Sequence, residues 1–123
     1  MRRRFGKPEA LHTRRDFLRV QNNATRFRRA HMVLLVAQGE EGTARVGYTV
    51  SRKVGNAVVR NRVRRRLKEI IRTHPELLSQ GIDHVIVAYH SAATADFGTL
   101  EEELTWLLQR ARAQVSGQPS SSP

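Results

Sequence analysis

The chain is expected to be an α+β domain in which helices pack on one mixed sheet. Apolar residues recur at helical spacing near residues 13–21, 56–73 and 99–115. Apolar or alternating runs of strand length fill 31–38, 44–51 and 84–89. Read in order, these give α, then strands, then α-β-α, the succession of an α+β fold.

The first helix is expected to open at Thr13, because Thr13-x-x-Asp16 is capping-box-like, with Phe17, Leu18 and Val20 available for a buried face. It should end before Asn22-Asn23. Residues 24–29 have room for a short edge strand. "HMVLLVAQ" (31–38) is apolar, partly β-branched, and followed by the turn-rich "GEEGT" (39–43). "ARVGYTVS" (44–51) alternates, with Val46, Tyr48 and Val50 on one face. The two strands are expected to form a hairpin. Gly55 then breaks the chain, Asn56 is a good N-cap, and a long helix should run to about Thr73, ahead of His74-Pro75. "HVIVAY" (84–89) reads as a buried strand. Thr99-x-x-Glu102 is expected to open the last helix, with Leu100, Leu104, Leu107, Leu108, Ala111 and Val115 on one face. Residues 11–115 thus form one domain, between a flexible basic arm (1–10) and a disordered tail, "SGQPSSSP" (116–123).

A chain of 123 residues is long enough for a real core, and its 39% hydrophobic content lies clear of a disordered composition. With no cysteine there is no disulfide framework and no thiolate metal site. No apolar run approaches the ~18 residues of a membrane span. The charged "MRRRFGKPEA" start has no apolar region behind it, unlike a secretory signal, so the cytoplasm is the expected location. The charge is more informative. Twenty-two Lys+Arg against eleven Asp+Glu give +11, which calls for a polyanionic partner. Ten of the basic residues lie in 1–29 and nine in 52–72, so the domain should be electrically two-sided.

"GNAVVRNRVRRRLKEIIR" (55–72) concentrates that charge on a helix. At 100° per residue, Val59, Val63, Leu67 and Ile70 fall in one arc, with Ile71 at its margin. Asn61, Arg65, Lys68 and Arg72 fall opposite, while Arg60 and Arg64 flank the stripe on one side and Arg62 and Arg66 on the other. Only Glu69 offers an ion pair, i,i+4 from Arg65. Unpartnered stacked arginines repel one another. The row makes sense when phosphates neutralise it, rather than as a merely solvated face. A strand and a Gly loop precede this helix instead of a short helix-turn, which favours RNA over helix-turn-helix DNA binding.

These residues carry a resemblance. "RVGYTVSRKVGNAVVRNRVRRRLKEIIR" (45–72) resembles the signature of the bacterial ribonuclease P protein subunit, with Arg60-Asn61-Arg62 following a strand and a Lys53-Val54-Gly55-Asn56-Ala57 loop. "TRRDFLRV" (13–20) and "DHVIVAY" (83–89) extend the likeness over most of residues 10–112. The resemblance implies a fold like domain 2 of ribosomal protein S5, α-β-β-β-α-β-α, with a left-handed βαβ crossover where general rules favour a right-handed one. It implies an accessory subunit of an RNA-catalysed, Mg²⁺-dependent endoribonuclease that removes the 5′ leader of precursor tRNA. The RNA holds the metal, and the protein itself binds no cofactor and supplies no catalytic residue. The implied partners are ribonuclease P RNA and the precursor's leader, with no DNA and no membrane. By the same carry-over, Lys53, Asn56, Arg60, Asn61, Arg62, Arg65 and Lys68 face the catalytic RNA. A separate cleft between the first helix and the sheet would take the leader as a single strand.

In that cleft the chain departs from the family's pattern. Phe17 matches an aromatic position, but the position four later, often aromatic, is Gln21, and the facing strand reads Met32-Val33-Leu34-Leu35. Leader binding is then expected to rest more on Arg14, Arg15 and Arg19. Phe17 has an alternative place as an ordinary core residue beside Val20. Tyr48 and Tyr89 are further cleft candidates whose side of the sheet stays open.

Chemistry by the chain itself finds no support. Asp16, Asp83 and Asp96 are scattered, Glu101-Glu102-Glu103 suit a helix N-terminus, and the five histidines show no ligand spacing. His84 and His90, on one strand face, read as structural. Trp106 falls off the leucine stripe, either half-exposed or over the sheet edge, with an RNA contact the minor alternative. The competing function is a general basic RNA-binding or ribosomal-type protein, which would have one RNA surface instead of two.

Overall fold

The computed structural model describes residues 9–11 and 13–116. Its elements are β1 Glu9–Ala10, α1 Arg14–Asn23, β2 Thr25–Arg28, β3 Met32–Gln38, β4 Ala44–Thr49, α2 Ala57–Thr73, β5 Ile82–Ala88 and α3 Phe97–Ser116, with 3-10 turns at Pro75–Leu77 and His90–Ala93. The expected arm and tail lie outside the described residues except at their inner ends, where Glu9–Ala10 form β1 and Ser116 closes α3.

The helix starts follow from local chemistry. Thr13 Oγ1 accepts from the Asp16 N–H at 3.1 Å and donates to Asp16 Oδ2 at 2.8 Å, capping α1. The helix continues past the expected stop because Asn23 Nδ2 donates back to the Arg19 carbonyl at 3.1 Å, satisfying one of its last free acceptors. Asn56 Oδ1 accepts from the Val59 N–H at 3.0 Å and caps α2 as anticipated. α3 begins earlier than Thr99. Asp96 is its cap, accepting from the Thr99 N–H at 2.7 Å, so the helix includes Phe97 and Gly98.

The sheet order is β1-β4-β5-β3-β2. Here the expected hairpin fails: β3 and β4 do not pair, because β5 runs between them. Seven residues of β5 pair antiparallel with β3, from Met32 opposite Ala88 to Gln38 opposite Ile82. Six pair parallel with β4, which α2 links to β5 as a crossover. Burial explains the choice. β5 and β3 are buried on both faces and belong in the middle of a sheet, where each has two neighbours. The turn between β3 and β4 is propped open by Gly81, whose N–H reaches the Thr43 carbonyl and whose carbonyl accepts from Gly39. The hairpin that does form joins the edge strand β2 to β3.

Alternation along the strands builds two cores. Met32, Leu34, Val36, Val46 and Ile86 meet Val63, Leu67, Ile70 and Ile71 of α2 and Leu100, Leu104, Leu107, Leu108 and Ala111 of α3. Val115, expected on that stripe, lies beyond the sheet and is exposed. On the other face Val33, Leu35, Ala37 and Val85 meet Leu11 and Val20, with Phe17 and Tyr89 packed at the margin. α1 has only ten residues, and Thr49 and Val87 on this face stay partly exposed.

Candidate nucleic-acid interface

The α2 projection holds in three dimensions. Val63, Leu67, Ile70 and Ile71 are buried, Asn61, Arg65, Lys68 and Arg72 are exposed, and Arg60, Arg62, Arg64 and Arg66 lie between. Gly55 lets the preceding loop approach the helix, since a Cβ there would sit 2.9 Å from Val59 Cβ.

The flanking arginines have different partners. Arg62 Nη2 donates to the Ala93 carbonyl at 3.2 Å and Arg66 Nη1 to the Ala95 carbonyl at 3.1 Å, pinning the segment between β5 and α3. Arg62, expected to face RNA, is therefore partly a structural residue. The Nε of Arg60 and of Arg62 is buried without a partner. Arg64 donates to Asn61 Oδ1 at 2.9 Å. Glu69 pairs with Arg72, at 2.9 and 2.6 Å, and not with Arg65 as expected. That two-point contact holds the Glu69 carboxyl below the usual range. Among the described residues the Arg65 guanidinium is left with no acid and no hydrogen bond. Lys68 Nζ stands 5.8 Å from the Tyr48 ring centre.

The second surface is the sheet face under α1. Residues paired in register share a face, so Thr49, Val87, Val33 and Arg28 form one row across four strands, with Gly47, Val85, Leu35 and Arg26 in the next. Phe17 lies over Gly47, where a Cβ would be 2.6 Å from Phe17 Cζ. Phe17 is half-buried and packs against the core cluster that holds Leu11 and Val20. Tyr89 packs on this face. Tyr48 does not: its ring packs in the α2 and α3 core, and burial pushes its phenol up. The cleft placement expected for Tyr48 is thereby corrected, because Val46 and Tyr48 share a face and Val46 belongs to the larger core. Lys53, expected to face the catalytic RNA, lines a pocket of about 420 Å³ with Ser51, Tyr89 and His90.

Of the three arginines expected in the cleft, Arg14 and Arg15 are exposed and unpartnered among the described residues. Arg19 turns inward. Its Nη1 donates to the Gln38 carbonyl at 2.9 Å, and its Nη2 pairs with Asp83 and reaches Asp16 at 3.5 Å. Arg26 and Arg28 take its place, exposed on the same face at the edge strand. The signal was in "TRFR" (25–28): Phe27 goes to the core, so its flanking arginines must point the other way.

Catalytic candidates do not assemble. Among the described residues no three His, Asp or Glu side chains converge as a metal site would require. His84 is structural as expected: buried, it meets the Arg45 carbonyl through Nδ1 at 3.2 Å and accepts from the Ser79 N–H at Nε2, 3.3 Å away. Burial holds its pKa below the ordinary histidine value. His90 leaves the strand face assigned to it and lies exposed in a 3-10 turn.

The chain is a small basic α+β domain with one cationic helix face and, across the sheet, a second face on which Phe17 and Tyr89 pack. The comparisons with known proteins give its family. The family model described as Ribonuclease P matches residues 5–112, and the chain belongs to that family. It is 42% identical over 110 residues to the ribonuclease P protein component of Erythrobacter litoralis, covering 86% of this chain and 88% of the relative. Against the component of Geotalea uraniireducens it is 39% identical, covering 86% and 93%. The solved RNase P protein from Thermotoga maritima superposes with a TM-score of 0.76 at 31% identity, covering 83% of this chain and 96% of that one. The Staphylococcus aureus RNase P protein, at 23% identity and a TM-score of 0.70, supports the fold. The chain is thus a protein component of ribonuclease P, part of an endoribonuclease holoenzyme. Among its described residues no helix is long and apolar enough to cross a membrane.

Proposed function

We propose that the protein binds ribonuclease P RNA through the outer face of α2 and the 5′ leader of precursor tRNA across the sheet face under α1, helping the RNA remove the leader. The observation that carries this reading is the separation of the two surfaces. Arg65 and its neighbours project from a helix packed on one side of the sheet, while Phe17 and the Thr49–Arg28 row lie on the other. On the first surface Asn56, Arg60, Asn61, Arg65 and Lys68 meet phosphates, with Arg62 dividing its donors between RNA and Ala93. On the second, Phe17 offers a ring to a base, worth ~1–3 kcal/mol, and Arg14, Arg15, Arg26 and Arg28 neutralise the strand, with Lys53 and Tyr89 at its end.

The chemistry would belong to the RNA, which would hold the magnesium able to supply activated water and stabilise the leaving oxygen. The protein orients the leader and adds positive charge where two RNA molecules would otherwise repel. Binding assays with two variants test the division. Arg65→Ala should weaken ribonuclease P RNA and leave leader discrimination intact, and Phe17→Ala should do the reverse. Equal losses in both assays from both variants would mean a single surface and reject the reading.

A further inference from the structure

Trp106 is the only tryptophan in the chain, and it lies outside both surfaces, 37% exposed on α3. The Arg29 guanidinium carbon is 4.5 Å from its ring centre and that of Arg110 is 5.4 Å away. Two cations on one ring satisfy its apolar surface but leave their donors unanswered. Neither arginine has a side-chain hydrogen bond or acidic partner among the described residues. The nearby carboxylate of Glu103 is already taken, accepting from the His31 N–H at 2.9 Å and meeting His31 Nδ1 at 2.6 Å. What remains is a pair of planar forks held in place by a ring, ready for phosphate oxygens.

The position of this group says which phosphates. The Thr49–Val87–Val33–Arg28 row on the α1 side ends at Arg28 on the edge strand β2, roughly 14 Å from Thr49 at a strand spacing of ~4.8 Å. Arg29 is the next residue, and the chain turns there, its N–H bonding the Met32 carbonyl at 2.9 Å. Arg28 thus faces the cleft while Arg29 reaches around the edge to α3. We infer that the Arg29–Trp106–Arg110 group continues the leader path, binding the backbone of leader nucleotides that have crossed the sheet and passed over the β2 edge. The inference rests on the leader reading above and extends it to a residue set on the opposite side of the sheet.

Trp106 emission tests it directly in the complex of the full chain with ribonuclease P RNA. The probes are precursor tRNAs with leaders of about 4 and about 12 nucleotides, a span typical of single-strand grooves. The longer leader alone should change the emission. Arg29→Gln with Arg110→Gln removes both guanidinium charges while leaving uncharged polar side chains, and should weaken only the long-leader substrate, roughly tenfold. It should also lower the slope of log affinity against log salt by about 1.4, two contacts at ~0.7 each on a single strand. If Phe17→Ala still abolishes leader discrimination but Trp106 never responds, the cleft stands and this extension fails. A response to ribonuclease P RNA before substrate is added would give the surface to the catalytic RNA and overturn the assignment. If neither Phe17→Ala nor the double variant affects the long leader, both readings fall.

Discussion

Asp83, on β5, is gripped by Arg45 of the adjacent strand through two parallel bonds, Nε to Oδ1 at 2.8 Å and Nη2 to Oδ2 at 2.8 Å. The carboxylate has no exposed surface, and Arg19 of α1 binds it from the other side. This cluster, with Asp16 at 3.5 Å from both arginines, ties a short helix to the sheet. Few apolar contacts do the same work, since Val20 is the only fully buried side chain of α1. Asp83→Asn should therefore destabilise the domain by about 2–4 kcal/mol, somewhat under the usual loss for a broken buried pair because both arginines keep partial access to water. Urea denaturation measures this. A change below about 0.5 kcal/mol would mean that α1 is held by packing alone.

Two buried groups make stability depend on pH in different windows. Burial alone would raise the Asp83 pKa, but its bonds to Arg45 and Arg19 outweigh that and hold it below the ordinary range. Its stabilisation is present above the unfolded value of about 3.9 and is lost as pH falls further. His84 acts earlier. Its folded pKa is depressed by burial, so the unfolded chain takes up the proton first, and stability declines as pH falls below about 6.5, by up to ~1.4 kcal/mol per unit. Unfolding free energies between pH 7 and 5, with the His84 ring followed by NMR, check this. A ring titrating at its ordinary value with flat stability would refute it.

Gly47 sets the floor under Phe17. A methyl group there collides with the ring at 2.6 Å and with the Leu11 carbonyl at 3.1 Å, so Gly47→Ala should displace α1, cost about 1–3 kcal/mol and weaken leader binding without changing affinity for ribonuclease P RNA. In a Phe17→Ala background the same change should cost measurably less. An additive double-mutant cycle would show that the two positions do not touch in solution.

Neighbouring arginines of α2 should behave differently. Arg65→Ala removes no hydrogen bond or ion pair among the described residues, so stability should move by under about 0.5 kcal/mol while the salt slope of RNA binding falls by ~1. Arg66→Ala loses the bond to Ala95 and should cost about 1 kcal/mol of stability. Paired melting and salt-titration curves decide it, and the reverse pattern would contradict the assignment.

The long cationic helix was legible because its two constraints, a core stripe and a charged arc, are both written at one period. The same holds for the Asn56 cap and for His84 as a structural residue. Strand pairing was less accessible. The alternation of 44–51 fits a hairpin with 31–38 as well as it fits the observed pairing, and only the competition of a distant apolar strand, residues 82–88, decides between them. Arg19 was misplaced for a related reason: its partner Asp83 is 64 residues away. Tyr48 could be assigned to a face only once Val46 had been placed in the larger core.

The central claim is that two surfaces bind two RNAs. Leader cleavage by a bacterial ribonuclease P RNA at low Mg²⁺, with and without this protein, on precursors of short and long leader, tests it most directly. Two separate surfaces require protein-dependent cleavage, tighter binding of the long leader, and loss of that preference alone in Phe17→Ala. Tight RNA binding without any rescue of cleavage would contradict it.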